Sequence, residues 1–212
     1  SNGGVTTPTV DGTDAGEVTE DAVAETTYYI VVPKPEISSG AQDTPQSDTM
    51  EKGFKTGLPE NSTVSDYKLV DPATGEKKSS VTTDEGTYTV DPTTGKVTFT
   101  PAQGYIGTAK PISVAANVTI PGDDGKPVTV EASTTYTPTV YGVKGNDDTT
   151  KDVQGAVQTS KPGSERFSKL NTPENTPDGT NVDLTTSKYS LEGADTEGKV
   201  VVPNEGTYTI DP

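Results

Sequence analysis

Gly86-Thr87-Tyr88-Thr89-Val90-Asp91-Pro92 returns at the end of the chain as Gly206-Thr207-Tyr208-Thr209-Ile210-Asp211-Pro212, one aliphatic exchange apart, at a spacing of 206 − 86 = 120 residues. A spacing of domain length means that a whole folding unit recurs, and this decides the architecture before any single strand is considered. Other positions follow with small shifts. Gly40-Ala41-Gln42 answers Gly155-Ala156-Val157, Phe54 answers Phe167, Tyr67-Lys68-Leu69 answers Tyr189-Ser190-Leu191, and Thr26-Thr27-Tyr28 answers Thr134-Thr135-Tyr136. Insertions in loops between shared strands produce shifts of this kind. The expected layout is the C-terminal end of a preceding repeat or a linker over 1–36, a complete repeat over 37–143, a linker over 144–154, and the N-terminal part of the next repeat over 155–212. On this layout the chain is truncated inside repeats at both ends.

The repeated string opens the clearest secondary-structure signal. Tyr88 and Val90 on one arm, Val97 and Phe99 on the other, alternate with threonines, and Asp91-Pro92-Thr93-Thr94-Gly95 supplies the turn residues of a hairpin with one apolar face. In a second pair, Ile112, Val114, Ala116, Val118 and Ile120 alternate with other residues before Pro121-Gly122-Asp123-Asp124-Gly125, and Val128, Val130, Ala132 and Tyr136 share one parity on the return arm. Tyr67 and Leu69 mark a further strand and Val81 a short one. Short strands between turn signals, without helical periodicity, predict an all-β fold of tandem β-sandwich (Ig-like) repeats.

Composition makes each core thin. Hydrophobic residues are 28% of the 212, with no Cys, His or Trp and one Met. So little apolar material beside a net charge of −16 ordinarily means disorder; here the polar residues are largely Thr, which suits strands, and the apolar ones alternate. Burying a large apolar side chain contributes about 1.5–3 kcal/mol, against roughly 1.5 kcal/mol per residue for ordering the chain. The unit at 37–143 is expected to fold, and the piece after Gly155, without counterparts of the strands from Lys96 to Val140, to be marginal or partly open. Ile37 to Lys52 and Gly142 to Thr150 are rich in Gly, Ser, Thr and Asp, and the second stretch reads as a junction.

A pI near 4.2 argues against a nucleic-acid partner, which needs clustered Lys and Arg, and against acidic membrane surfaces. No apolar run approaches the roughly 20 residues of a membrane span, and Ser1-Asn2-Gly3-Gly4 is no signal peptide. Without His or Cys there is no Ser-His-Asp triad, no Cys-His pair, no HExxH zinc site and no disulfide framework within these residues. Paired carboxylates could serve a glycosidase, yet the acidic residues sit in turn-like strings with little apolar sequence around them, so the chain is read as not an enzyme.

Asp-rich strings raise calcium: Asp11-Gly12-Thr13-Asp14, Asp123-Asp124, and the junction cluster Asn146, Asp147, Asp148 with Asp152. None has EF-hand or RTX spacing, and turn chemistry accounts for each more simply; the junction cluster is the best candidate, since an ion there would stiffen adjoining units. No other cofactor is implied. Lys96 beside Val97 is the one lysine placed for an isopeptide bond, with exposure the ordinary reading. Tyr28-Tyr29 and Tyr141 could form a binding surface or pack at a core edge. Leu58-Pro59-Glu60-Asn61 departs from a sortase signal at Ser62-Thr63, and Asn61-Ser62-Thr63 and Asn117-Val118-Thr119 are chance-length acceptor triplets.

Gly86 to Pro101, Gly104-Tyr105-Ile106-Gly107-Thr108 and the closing Thr135-Tyr136-Thr137-Pro138-Thr139-Val140 together resemble the CshA-type fibril repeat of Gram-positive bacterial surface adhesins. The resemblance covers the complete unit, the first half of the next, and residues 1–36 weakly, since Tyr29-Ile30-Val31-Val32 stands where the pattern has Thr137-Pro138-Thr139-Val140. It implies an extracellular structural stalk on the bacterial cell wall, whose partners are neighbouring repeats and, through a region outside these residues, a host matrix protein; no catalytic motif carries over. Two other functions remain open from the sequence. The repeats could themselves bind a host protein or glycan, or serve as an accessory module of a secreted glycan-active enzyme.

Overall fold

The structure, a computed structural model, describes residues 29–212 and, before them, strand residues 5–6, 9–10, 24–25 and 28. In that early region β1 (Val5–Thr6) pairs with β4 (Tyr28–Tyr29), and β2 (Thr9–Val10) with β3 (Ala24–Glu25). The described residues divide into two compact units, the first ending at Val140 and the second running from Tyr141 to Pro212.

In the first unit the chain runs through β5 (Glu36–Ala41), β6 (Gln46–Thr49), the short helix α1 (Glu51–Phe54), β7 (Thr63–Val70), β8 (Lys77–Lys78), β9 (Ser80–Thr82), β10 (Gly86–Val90), β11 (Lys96–Pro101), β12 (Gly107–Thr108), β13 (Ile112–Ile120) and β14 (Val128–Gly145). One sheet has the order β6-β11-β10-β9; the other has β12-β14-β13-β7-β8, with β5 also paired to β14. Alternation places Val81, Tyr88, Val97 and Phe99 of the first sheet and Tyr67, Leu69, Val114, Val118, Tyr136 and Val140 of the second in one core. Tyr88 and Tyr136 meet edge to face across it, ring centroids 6.2 Å apart.

The β10–β11 hairpin forms as its sequence predicts, Tyr88 opposite Phe99 and Val90 opposite Val97. Its turn is held by Asp91, whose Oδ1 accepts from the backbone N–H groups of Thr93 (2.8 Å) and Thr94 (3.0 Å), and by Gly95 at φ +75°. Asp71-Pro72-Ala73-Thr74-Gly75 makes the same turn: Asp71 Oδ1 accepts from Ala73, and Gly75 donates to the Asp71 carbonyl at 2.7 Å.

Ile37 to Lys52, rich in turn-forming residues, is largely strand and helix instead of loop. Its polar residues are tied inward: Gln46 is buried, accepting from Ser38 Oγ and donating to the Thr139 carbonyl at 3.0 Å. Tyr29 and Val31 pack against the core of this unit, and Gly142–Gly145 is the end of β14. Val128 and Val130 keep the expected parity, opposite Ile120 and Val118, but lie exposed while Ile120 and Val118 are buried, so a shared parity does not bring shared burial.

The second unit has no buried hydrophobic side chain among its described residues. The end of β14 pairs with β15 (Phe167–Leu170), Gly142 opposite Leu170, just after a 3₁₀ turn at Gly163–Glu165. Farther on, β16 (Lys199–Val202) pairs with β17 (Gly206–Thr209) as a two-stranded ribbon. β17 carries the repeated string, but Tyr208 faces Val200 across a three-residue loop, Pro203 to Glu205, with Asn204 at φ +64°. Its counterpart Tyr88 faces Val81 across a turn tightened by mutual Thr83–Gly86 backbone bonds, so the two registers differ by one residue.

Candidate functional site: the two ends of the first unit

The core of the first unit is closed at two ends by turns and loops. The turn end carries the Asp91–Gly95 turn. There Met50 N–H donates to the Gly95 carbonyl (3.0 Å), Tyr67 N–H to Pro92 (3.1 Å), and Lys34 N–H to Gly53 (3.0 Å). Gly53 permits that last approach, because a Cβ there would lie 2.4 Å from the Lys34 carbonyl oxygen. α1 closes this end by burying Phe54 edge-on against Tyr67, centroids 5.7 Å apart.

The loop end carries residues 102–107. Gln42 Nε2 donates to the Gly104 carbonyl and Gly104 N–H to Asp43 Oδ1, both at 2.8 Å, fixing the end of β5. Glu85 braces the same loop, accepting from Tyr105 OH at 3.1 Å and from Lys110 N–H at 2.9 Å. Burial, then the Glu85 hydrogen bond and charge, push the Tyr105 phenol up to about 12. Val140 lies opposite Gly107, so β14 leaves the unit at this loop end.

Beside α1 a groove of about 730 Å³ is lined by Lys34, Glu36, Lys52, Lys55, Leu58 and Pro59, among others. Lys55 and Glu51 form an ion pair across one turn at 3.6 Å. Burial, and next the neighbouring Asp48 carboxylate, raise the Glu36 pKa above its ordinary 4.5, while Lys52 acts the other way. A carboxyl whose folded pKa is raised is costly when ionised, and the cost disappears as pH falls through that raised pKa. Glu36→Gln is therefore expected to stabilise the first unit by up to about 1 kcal/mol at pH 7. Urea titrations at pH 7 and pH 4 check this: the gain should fade in acid. Asp91 has the opposite sign. Its pKa is held down by the Thr94 and Thr93 N–H groups, so its contribution is present above 3.8 and lost as pH falls through the lowered value.

The calcium candidates are not drawn together. Asn146 Nδ2 donates to Ser168 Oγ, both Asp148 oxygens accept backbone N–H groups, from Thr149 and Lys161, and Asp152 Oδ1 accepts from Val153. Asp147 is exposed. Among the described residues no three His, Cys, Asp or Glu side chains converge to hold a metal ion. Asp124 serves its own turn, accepting from Lys126 N–H at 2.9 Å, and Asp11-Gly12-Thr13-Asp14 lies outside the described residues. Lys96 is exposed, Asn117 Nδ2 donates to Asp66 at 3.2 Å, and Leu58 packs on the core. Tyr29 packs on the same core, Tyr141 is half-buried, and the Tyr28 side chain lies outside the described residues. No helix among the described residues is long and apolar enough to cross a membrane.

The sequence reading missed the pairing of β5 with β14 and the ties at both ends, which rest on single polar residues such as Gln42, Asp43 and Gln46 without periodicity. What the ends provide is hydrogen bonding on either side of β5 and the pairing of β14 with β12. A family model described as the surface adhesin CshA repetitive domain matches residues 28–140. No curated protein matches the chain.

Proposed function

The chain belongs to the family of surface adhesin CshA repeats, and from that premise we propose that it is a segment of a structural stalk, whose Ig-like sandwich repeats project an adhesive region away from a bacterial cell wall. One observation carries this reading: β5 starts at the turn end, beside Lys34, whose N–H is bonded to the Gly53 carbonyl, and β14 reaches the loop end, where Val140 faces Gly107. Between the two ends lie the six residues of β11, roughly 20 Å of extended strand. A unit with entry and exit at opposite ends adds its length to an array; one with both at the same end folds the array back. High negative charge supports the same use by keeping neighbouring stalks apart. The partners are then adjoining repeats, with host contact made elsewhere in the protein.

Scattering measurements on proteins with one, two and four copies of residues 28–140 test the reading. Maximum dimension should rise in proportion to copy number. A dimension that levels off overturns the stalk, and saturable binding of a host matrix protein or glycan by a single copy favours the repeats as binding modules.

A further inference from the structure

We propose that the pairing of β5 with β14 is a force-bearing clamp that resists extension of the first unit. In chain order these are the first and last strands of the two sheets that enclose the core, and they pair with each other. Their directions follow from their ends. β5 runs from beside Lys34, at the turn end, toward Gln42 and Asp43, which are bonded to Gly104 at the loop end. β14 runs from Val128 past Tyr136 to Val140, which faces Gly107 at the same loop end. The two strands are therefore parallel, and the chain is pulled from the start of one and the far end of the other.

That geometry matters because of how load is shared. Tension applied at opposite ends of two paired strands shears them, so every backbone bond between them and every cross-link must fail together. Tension applied at the same end opens the bonds one at a time. Side chains reinforce the shear plane in the first unit. Ser38 Oγ lies 2.5 Å from both Tyr136 OH and Gln46 Oε1, and Gln46 Nε2 donates to the Thr139 carbonyl. Tyr136 is fully buried and Gln46 nearly so, so water has little access to compete for these bonds. The anchors beyond the strands, Lys34 to Gly53 on one side and Asp43 to Gly104 on the other, keep the pair from fraying before it is loaded.

The clamp is a property of the unit; its use in the organism rests on the stalk reading. The chain has no cysteine, so two introduced thiols are unique attachment points for single-molecule pulling on the full chain. Lys34→Cys with Lys144→Cys loads β5 and β14 from opposite ends, and Lys34→Cys with Lys126→Cys loads them from the same end. The expected result is a several-fold higher unfolding force in the first geometry, in a single event. That event should release residues 36–140 at about 3.3–3.6 Å per residue, on the order of 350 Å of new length. Forced unfolding reads the unfolding barrier, so the comparison is one of rates under load and does not depend on equilibrium stability. Equal forces in the two geometries, or a first small step in which β5 detaches alone, overturn the clamp while leaving the copy-number test of the stalk untouched. A dimension that levels off with copy number, beside a high shear force, overturns the stalk and leaves the clamp.

Discussion

Gly95→Ala is expected to cost the first unit about 2–5 kcal/mol, the sum of left-handed backbone strain and overpacking, whereas Gly75→Ala costs about 1–2 kcal/mol from strain alone. Both glycines sit at φ +75° in the same Asp-Pro-Xaa-Thr-Gly turn. They differ in what surrounds them. A Cβ at Gly75 would meet nothing within 4 Å, whereas at Gly95 it would lie 2.5 Å from Cζ of Tyr67 and 2.6 Å from Cε1. The Tyr67 ring has no room to retreat, because it is buried against Phe54 and its backbone is bonded to the carbonyl of Pro92. Small domains have only about 5–15 kcal/mol of stability in all, so the larger loss leaves little in a unit with so thin a core. Urea unfolding of the full chain, followed by tyrosine near-ultraviolet dichroism, separates the two variants. Equal losses would show that the turn conformation, and not the tyrosine packed on it, carries the cost.

The second large effect uses the repeated string as its own control. Tyr88→Ala should destabilise the first unit by about 3–5 kcal/mol, the range for truncating a large buried aromatic residue. Tyr208→Ala, at the matching position, should change stability by less than about 0.5 kcal/mol, as an exposed substitution does. Tyr88 is 1% exposed and packs 4.6 Å from Phe99, while Tyr208 is 47% exposed and its hydroxyl donates to Glu205 Oε1. Amide exchange resolved along the chain checks both: protection should be lost throughout 36–140 for the first variant and unchanged for the second. Comparable losses would mean that β17 is covered in solution by structure the ribbon does not reveal.

Those two tyrosines also mark how far the sequence could be read. Alternation around Tyr88 and Phe99 carried strand, turn and face together, because each signal is local. It could not carry coverage. Val128 and Val118 obey the same period, yet Val128 is 57% exposed and Val118 fully buried, since parity fixes a face and not what covers it. β5 and β6 were illegible for another reason. Glu36–Ala41 and Gln46–Thr49 hold one large apolar residue, Ile37, and it points outward. Their place is set by hydrogen bonds to Tyr136, Thr139 and Gly104, partners some sixty to a hundred residues away in the chain. The ties at the loop end belong to this second class, because each joins residues some sixty positions apart with no periodic pattern to mark them.

The partnership of β5 with β14 also sets an order in time. A ribosome releases the first strand of the unit long before the last, so β5 must wait until the region around Tyr136 has been made before its side-chain partners exist. Until then the unit cannot close on a finished core. A chain that leaves the cell as it is made would cross as an open thread, with its charge and scarce apolar surface disfavouring premature collapse, and each repeat would lock only when its closing strand arrives.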